Sequence, residues 1–169
     1  MPYTEIGLDN LPARHPVRAF DGYWKSLRQG DAAPLRHSIV PGEITGLLRW
    51  LLVLEKVTIG QELQFRYRLA GTGCTEIFGI DYTGKILGDN LTPEGTEIRR
   101  REFLRVMESI QPIYSVTNLP VKAKEFVVVH RGVFPVSTTG ADVDQIFVVI
   151  APTAETCLVQ PATRMASVA

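Results

Sequence analysis

Cysteine is scarce in this sequence, with Cys74 and Cys157 as its two thiols. No CxxC pair and no histidine at metal-ligating spacing accompanies them, which excludes a disulfide framework and a zinc-type site and fits a reducing compartment. Excess charge of either sign is also missing, because 18 Lys+Arg balance 18 Asp+Glu and the pI is near 6.8. Without a long-range field, nucleic acid or an anionic membrane would need a local basic patch, and the sequence offers none of useful length. The longest apolar run, Trp50-Leu51-Leu52-Val53-Leu54, falls far short of the roughly 20 residues a membrane span needs. The start, Met1 to Ile6, lacks the basic-then-apolar pattern of an export signal. A cytoplasmic location is expected, so the triplet Asn90-Leu91-Thr92, followed by Pro93, reads as a turn and not as a glycosylation site. Catalytic signatures are equally scarce: there is no GxSxG, no HExxH, and no carboxylate pair at helical spacing on an apolar face.

What is present is an ordinary globular composition, 45% hydrophobic and 21% charged over 169 residues. A chain of this size forms one core without staples. Residues 1–40 read as an N-terminal arm followed by a flanking amphipathic helix, 41–152 as the folded domain and 153–169 as a mobile tail. The helix opens at Pro16, suited to a first helical position, and carries Val17, Phe20, Trp24 and Leu27 on one face until Gly30 stops it. Leu48 to Val57 and Leu63 to Leu69 form a hairpin around Ile59-Gly60-Gln61. Alternation sends Phe65, Tyr67 and Leu69 to one face and Arg66 and Arg68 to the other, which is solvated. A glycine-rich stretch of short helices leads to a long helix opened by Thr92-Pro93-Glu94. Phe103, Val106, Met107 and Ile110 form its apolar face, and Glu97 stands four before Arg101 on the other. Three Val- and Ile-rich strands follow, from Ile113, Lys124 and Val143. The fold class is α+β: a five-stranded antiparallel sheet with helices over its apolar face.

This order, together with three local matches, resembles the stand-alone PAS-domain family of alphaproteobacterial type. The matches are Phe65-Arg66-Tyr67-Arg68-Leu69-Ala70-Gly71-Thr72, then Phe78-Gly79-Ile80-Asp81-Tyr82-Thr83-Gly84-Lys85, and Phe134-Pro135-Val136-Ser137 with Val143-Asp144-Gln145-Ile146. Trp24, Leu27 and Arg28 fit as well, and the likeness spans residues 16–150. The resemblance implies a sensory or adaptor protein that signals through protein contacts, as a homodimer or with a partner protein. It also implies a core cavity for a small, mostly apolar metabolite. Val127, Val128 and Val129 depart from the family's pattern of polar positions on that strand, so the outer face there is expected to be covered by the N-terminal helix or a second subunit.

The cavity lining expected from the pattern is Phe65, Tyr67 and Leu69 on the strand, Phe78 and Ile86 on the short helices, and Phe103, Val106 and Met107 on the long helix. The same side chains would equally well fill the core completely, since protein interiors are close-packed. Val17, Phe20, Trp24 and Leu27 are the expected dimer or partner contact, with packing inside the chain as the alternative. No cofactor is expected. The light-sensing branch of the family needs a cysteine where Thr83 to Gly88 stand, and haem needs an axial ligand that the long helix lacks. Leu69-Ala70-Gly71-Thr72-Gly73-Cys74 has two glycines of a dinucleotide motif but Glu76 at the third, so Gly71 and Gly73 read as turn glycines. The rival function is a small-molecule enzyme using Tyr67, His130 or Arg66. Alternation already sets Arg66 and Tyr67 on opposite faces.

Overall fold

A computed structural model of the chain describes residues 3–89, 91–122 and 125–157. Its elements are β1 (Thr4–Ile6), α1 (Pro16–Leu27), β2 (Leu51–Ile59), β3 (Glu62–Ala70), α2 (Thr72–Phe78), α3 (Pro93–Ser109), β4 (Ile113–Lys122), β5 (Glu125–Val136) and β6 (Gln145–Pro152). Short 3-10 segments, among them the two-turn stretch Thr45–Trp50, connect α1 to β2. The sheet is antiparallel throughout, in the order β1-β4-β5-β6-β2-β3. The α+β architecture is as expected, but the sheet has six strands instead of five. The extra one comes from the arm: Thr4, Glu5 and Ile6 pair with Val116, Ser115 and Tyr114. Three residues carry no periodicity, so only the distant partner strand defines β1.

Helices cover both faces of the sheet, and this is why β6 is buried along nearly its whole length. Phe147, Val149 and Ala151 meet α1, while Ile146, Val148 and Ile150 meet the α2/α3 side. On the α1 side Val17, Phe20, Trp24 and Leu27 are all buried against Phe134, Val136 and Phe147. Trp24 donates its indole N–H to the Pro135 carbonyl at 2.9 Å, and Phe20 meets Phe134 edge-on at 4.8 Å. The expected dimer contact at these four residues is therefore corrected to packing within the chain, which leaves almost none of their surface for a second copy. Gly132 makes the close approach of α1 work, since a Cβ there would lie 2.6 Å from Val17 Cγ1. Gly71 serves the same end between β3 and the 3-10 stretch: a Cβ would lie 2.4 Å from the carbonyls of Leu48 and Arg49. Its φ of −66° is ordinary, so close backbone contact and not a turn conformation selects glycine.

His15 anchors the start of α1. Its Nδ1 accepts from the Val17 amide at 3.1 Å, and its Nε2 lies 3.0 Å from the Pro152 carbonyl and 3.2 Å from that of Ala151. The ring is fully buried and meets His130 edge-on at 5.4 Å. Desolvation pushes its pKa down to about 4, so the neutral ring is the folded form.

α1 does not reach the far end of β5. Phe126 and Val128 stay 63% and 43% exposed on the α1 side, while Val129 is buried on the other. Residues 158–169, where most of the mobile tail was expected, lie outside the described residues. Thr153 to Cys157 are described and tied back, with the Cys157 amide donating to the Arg14 carbonyl at 2.8 Å.

Candidate functional site

The α3 side of the sheet is packed differently. Phe65 and Phe103 meet edge-on at 5.2 Å, and Val106, Val129, Val133 and Cys74 complete a dry centre. Beside it lies a cavity of about 80 Å³ between β2, β3, β6, the loop after α2, and α3. Leu52, Leu54, Val148 and Ile150 form its floor, and Tyr67, Phe78, Tyr82 and Phe103 form an aromatic wall. Tyr82 links that wall, with its ring 5.1 Å from both Tyr67 and Phe78. The loop is fastened to the β3 edge by backbone bonds: Tyr67 N donates to Lys85 O, Gly84 N to Tyr67 O and Leu87 N to Phe65 O. Burial pushes the Tyr67 phenol up to about 12, so it is a neutral hydroxyl at any physiological pH.

Of the residues expected to line a cavity, Tyr67, Phe78 and Phe103 do so. Phe65, Val106 and Met107 belong to the packed centre beside it, and Ile86 is spent bridging to Arg66. Leu69 is a correction. The β2–β3 register steps from Leu54↔Tyr67 to Val53↔Leu69, so Arg68 is an extra residue on β3 and Leu69 passes to the other face. There it is 45% exposed and borders a wider, more open hollow of about 330 Å³ with Ile39, Pro41 and Leu48. The cations of that hollow are already engaged: Arg36 donates to the Ile39 carbonyl and Arg49 pairs with Glu76 at 3.0 Å.

Two arginines also line the cavity, and sequence reading missed both. Arg131 is buried on β5 and meets the buried Glu102 of α3, with Nη1 2.9 Å from Oε1 and 3.0 Å from Oε2. Tyr3, just before β1, donates its hydroxyl to Glu102 Oε2 at 2.6 Å. Arg99 stacks over the Tyr3 ring at 5.1 Å. Its Nη1 is buried with no hydrogen-bond partner among the described residues.

A family model for the PAS domain matches residues 13–134. The chain belongs to the PAS domain family. No curated protein matches it. PAS domains are in general sensory or interaction modules, and this one keeps its cavity where sheet and helices enclose it. The trio considered for catalysis is not assembled: Tyr67 faces α3, whereas Arg66 is exposed and bound to Glu55, and His130 sits with His15 on the α1 side. Among the described residues no helix is long and apolar enough to cross a membrane, and no cluster of His, Cys, Asp and Glu is arranged to hold a metal ion.

The missed arginines do carry a signal. Arg99, Glu102, Phe103 and Val106 stand at i, i+3, i+4 and i+7, which places two charges on the helix face that packs inward. On β5 Arg131 occurs in the alternation Val127, Val129, Arg131, Val133.

Proposed function

We propose that this PAS domain is a non-enzymatic sensor that holds a small molecule in the α3-side cavity and reports its presence through protein contacts. The observation that carries this reading is the cavity itself: an aromatic and aliphatic wall that also exposes polar groups of Tyr67, Arg99 and Arg131 to the same space. A volume of about 80 Å³ favours a small metabolite over haem or flavin. Transmission runs most directly through β1 and α3, because Tyr3 bonds Glu102 and Glu5 pairs with Arg105 at 2.5 Å. Phe126 and Val128 supply uncovered apolar surface for a homodimer or a protein partner.

Native mass spectrometry of freshly purified protein, with an absorption spectrum of the same sample, tests the reading. A discrete mass excess of small-molecule size, without visible absorption, is expected. A bare chain that takes up no small molecule from a cell extract would count against a sensing cavity.

A further inference from the structure

The charge inventory around the cavity does not close. Two guanidiniums, Arg99 and Arg131, face it, and one carboxylate, Glu102, is close enough to answer them. Glu102 is drawn to Arg131, which lies close to both of its oxygens, and its Oε2 takes the Tyr3 hydroxyl, while Oε1 makes no hydrogen bond among the described residues. Arg99 is left with the face of Tyr3 and a buried Nη1 that donates to no partner among the described residues. Arg99 is half-buried and shares the one nearby carboxylate, Glu102, with Arg131, so the pair of guanidiniums carries one positive charge more than the carboxylate answers, and a buried N–H left unpaired is costly unless a ligand supplies its acceptor. Burial and the nearby Arg131 push the Arg99 pKa down to about 10, which still leaves it charged at neutral pH.

The space next to Arg99 is walled by rings. Tyr67, Phe78, Tyr82 and Phe103 surround it, with Leu87 and Ile150 closing the sides. Planar rings of this kind accept another planar ring edge-on or offset, and a guanidinium accepts a carboxylate in a two-pronged, charge-assisted geometry. We propose that the cavity recognises a small aromatic monocarboxylate, its ring within the aromatic wall and its carboxylate on Arg99. This rests on the sensing function above and names the ligand class for the same cavity. It also replaces the mostly apolar ligand expected from sequence, because one negative charge is what Arg99 lacks.

Sodium benzoate, its neutral isostere benzamide and inorganic phosphate are the probes, titrated into the full chain at constant ionic strength and read by calorimetry and thermal shift. Benzoate is expected to bind saturably and raise the melting temperature, with benzamide and phosphate each much weaker. Arg99→Met, which keeps the unbranched apolar stem and loses the charge, is expected to weaken benzoate by at least about tenfold and leave benzamide unchanged. Arg99→Lys is expected to recover part of the benzoate affinity. Equal binding of benzoate and benzamide, or an unaltered benzoate affinity in Arg99→Met, overturns the carboxylate assignment while leaving a ligand-binding cavity in place. Binding of none of the probes overturns it as well, and a mass excess in the native spectrum would then still preserve the sensing function. The benzoate–benzamide comparison needs no variant, so it stands even if Arg99→Met fails to fold.

Discussion

The two faces of the sheet are covered by helices of opposite character. On the α1 side four residues of one helix stripe, Val17, Phe20, Trp24 and Leu27, interlock with Phe134, Val136 and Phe147. The buried charge there is answered within the chain: Asp21 accepts from the Tyr114 hydroxyl and pairs with Lys25 at 2.8 Å. On the α3 side the helix brings Phe103 and Val106 inward together with Arg99 and Glu102, and a cavity remains. Close packing with satisfied charge is what stability alone would select. A void beside a cation with a buried, unpaired N–H is what ligand binding would select. The closed α1 stripe and the receptive α3 side thus share one sheet, with the open hollow at Leu69 lying on the first face beyond the reach of that stripe.

The sharpest way to break this contrast is to open a hole on the filled face. Trp24→Ala removes a fully buried ring and its hydrogen bond to Pro135, and is expected to cost about 3–5 kcal/mol, read by urea denaturation. Light scattering across a dilution series should show self-association no weaker than before, because Trp24 has no surface to offer a partner. Reduced self-association at unchanged stability would return Trp24 to the dimer interface.

Acid should test the same face through His15. Its folded pKa, about 4, lies below the ordinary imidazole value of 6.5, so on acidification the unfolded chain takes up the proton first and unfolding is favoured. The stabilising contribution is complete above about pH 6.5 and is lost progressively as the pH falls toward 4. At 1.36 kcal/mol per pKa unit the loss amounts to about 3 kcal/mol. His15→Asn retains a side chain that can cap α1 and should flatten the melting-temperature profile over that interval. An identical slope in the variant would remove His15 as its source.

Elements governed by local periodicity were legible in the sequence: the α1 stripe, the β2–β3 hairpin, the long helix and the three last strands. The wet position of Arg66 was legible for the same reason, as was the inward position of Phe65 and Tyr67. What escaped depends on partners far along the chain. β1 is too short to show a pattern and exists through Ser115 and its neighbours. Leu69 changed faces because of one extra residue opposite Val53 and Leu54. Arg99 and Arg131 stand at apolar positions, where a charge is ordinarily taken for a solvated neighbour. The burial of Arg131 and the part-burial of Arg99 follow from the packing of α3 onto β5, which no single segment encodes.

Methyl-resolved NMR of the full chain during a benzoate titration tests the division between the two faces most directly. Saturable shifts are predicted at Leu52, Leu54, Leu87, Val148 and Ile150, which line or floor the cavity, with Val17, Val136 and Val149 of the α1 side unmoved. Shifts concentrated on the α1 side, or none on either, would contradict a closed α1 stripe backing a receptive cavity.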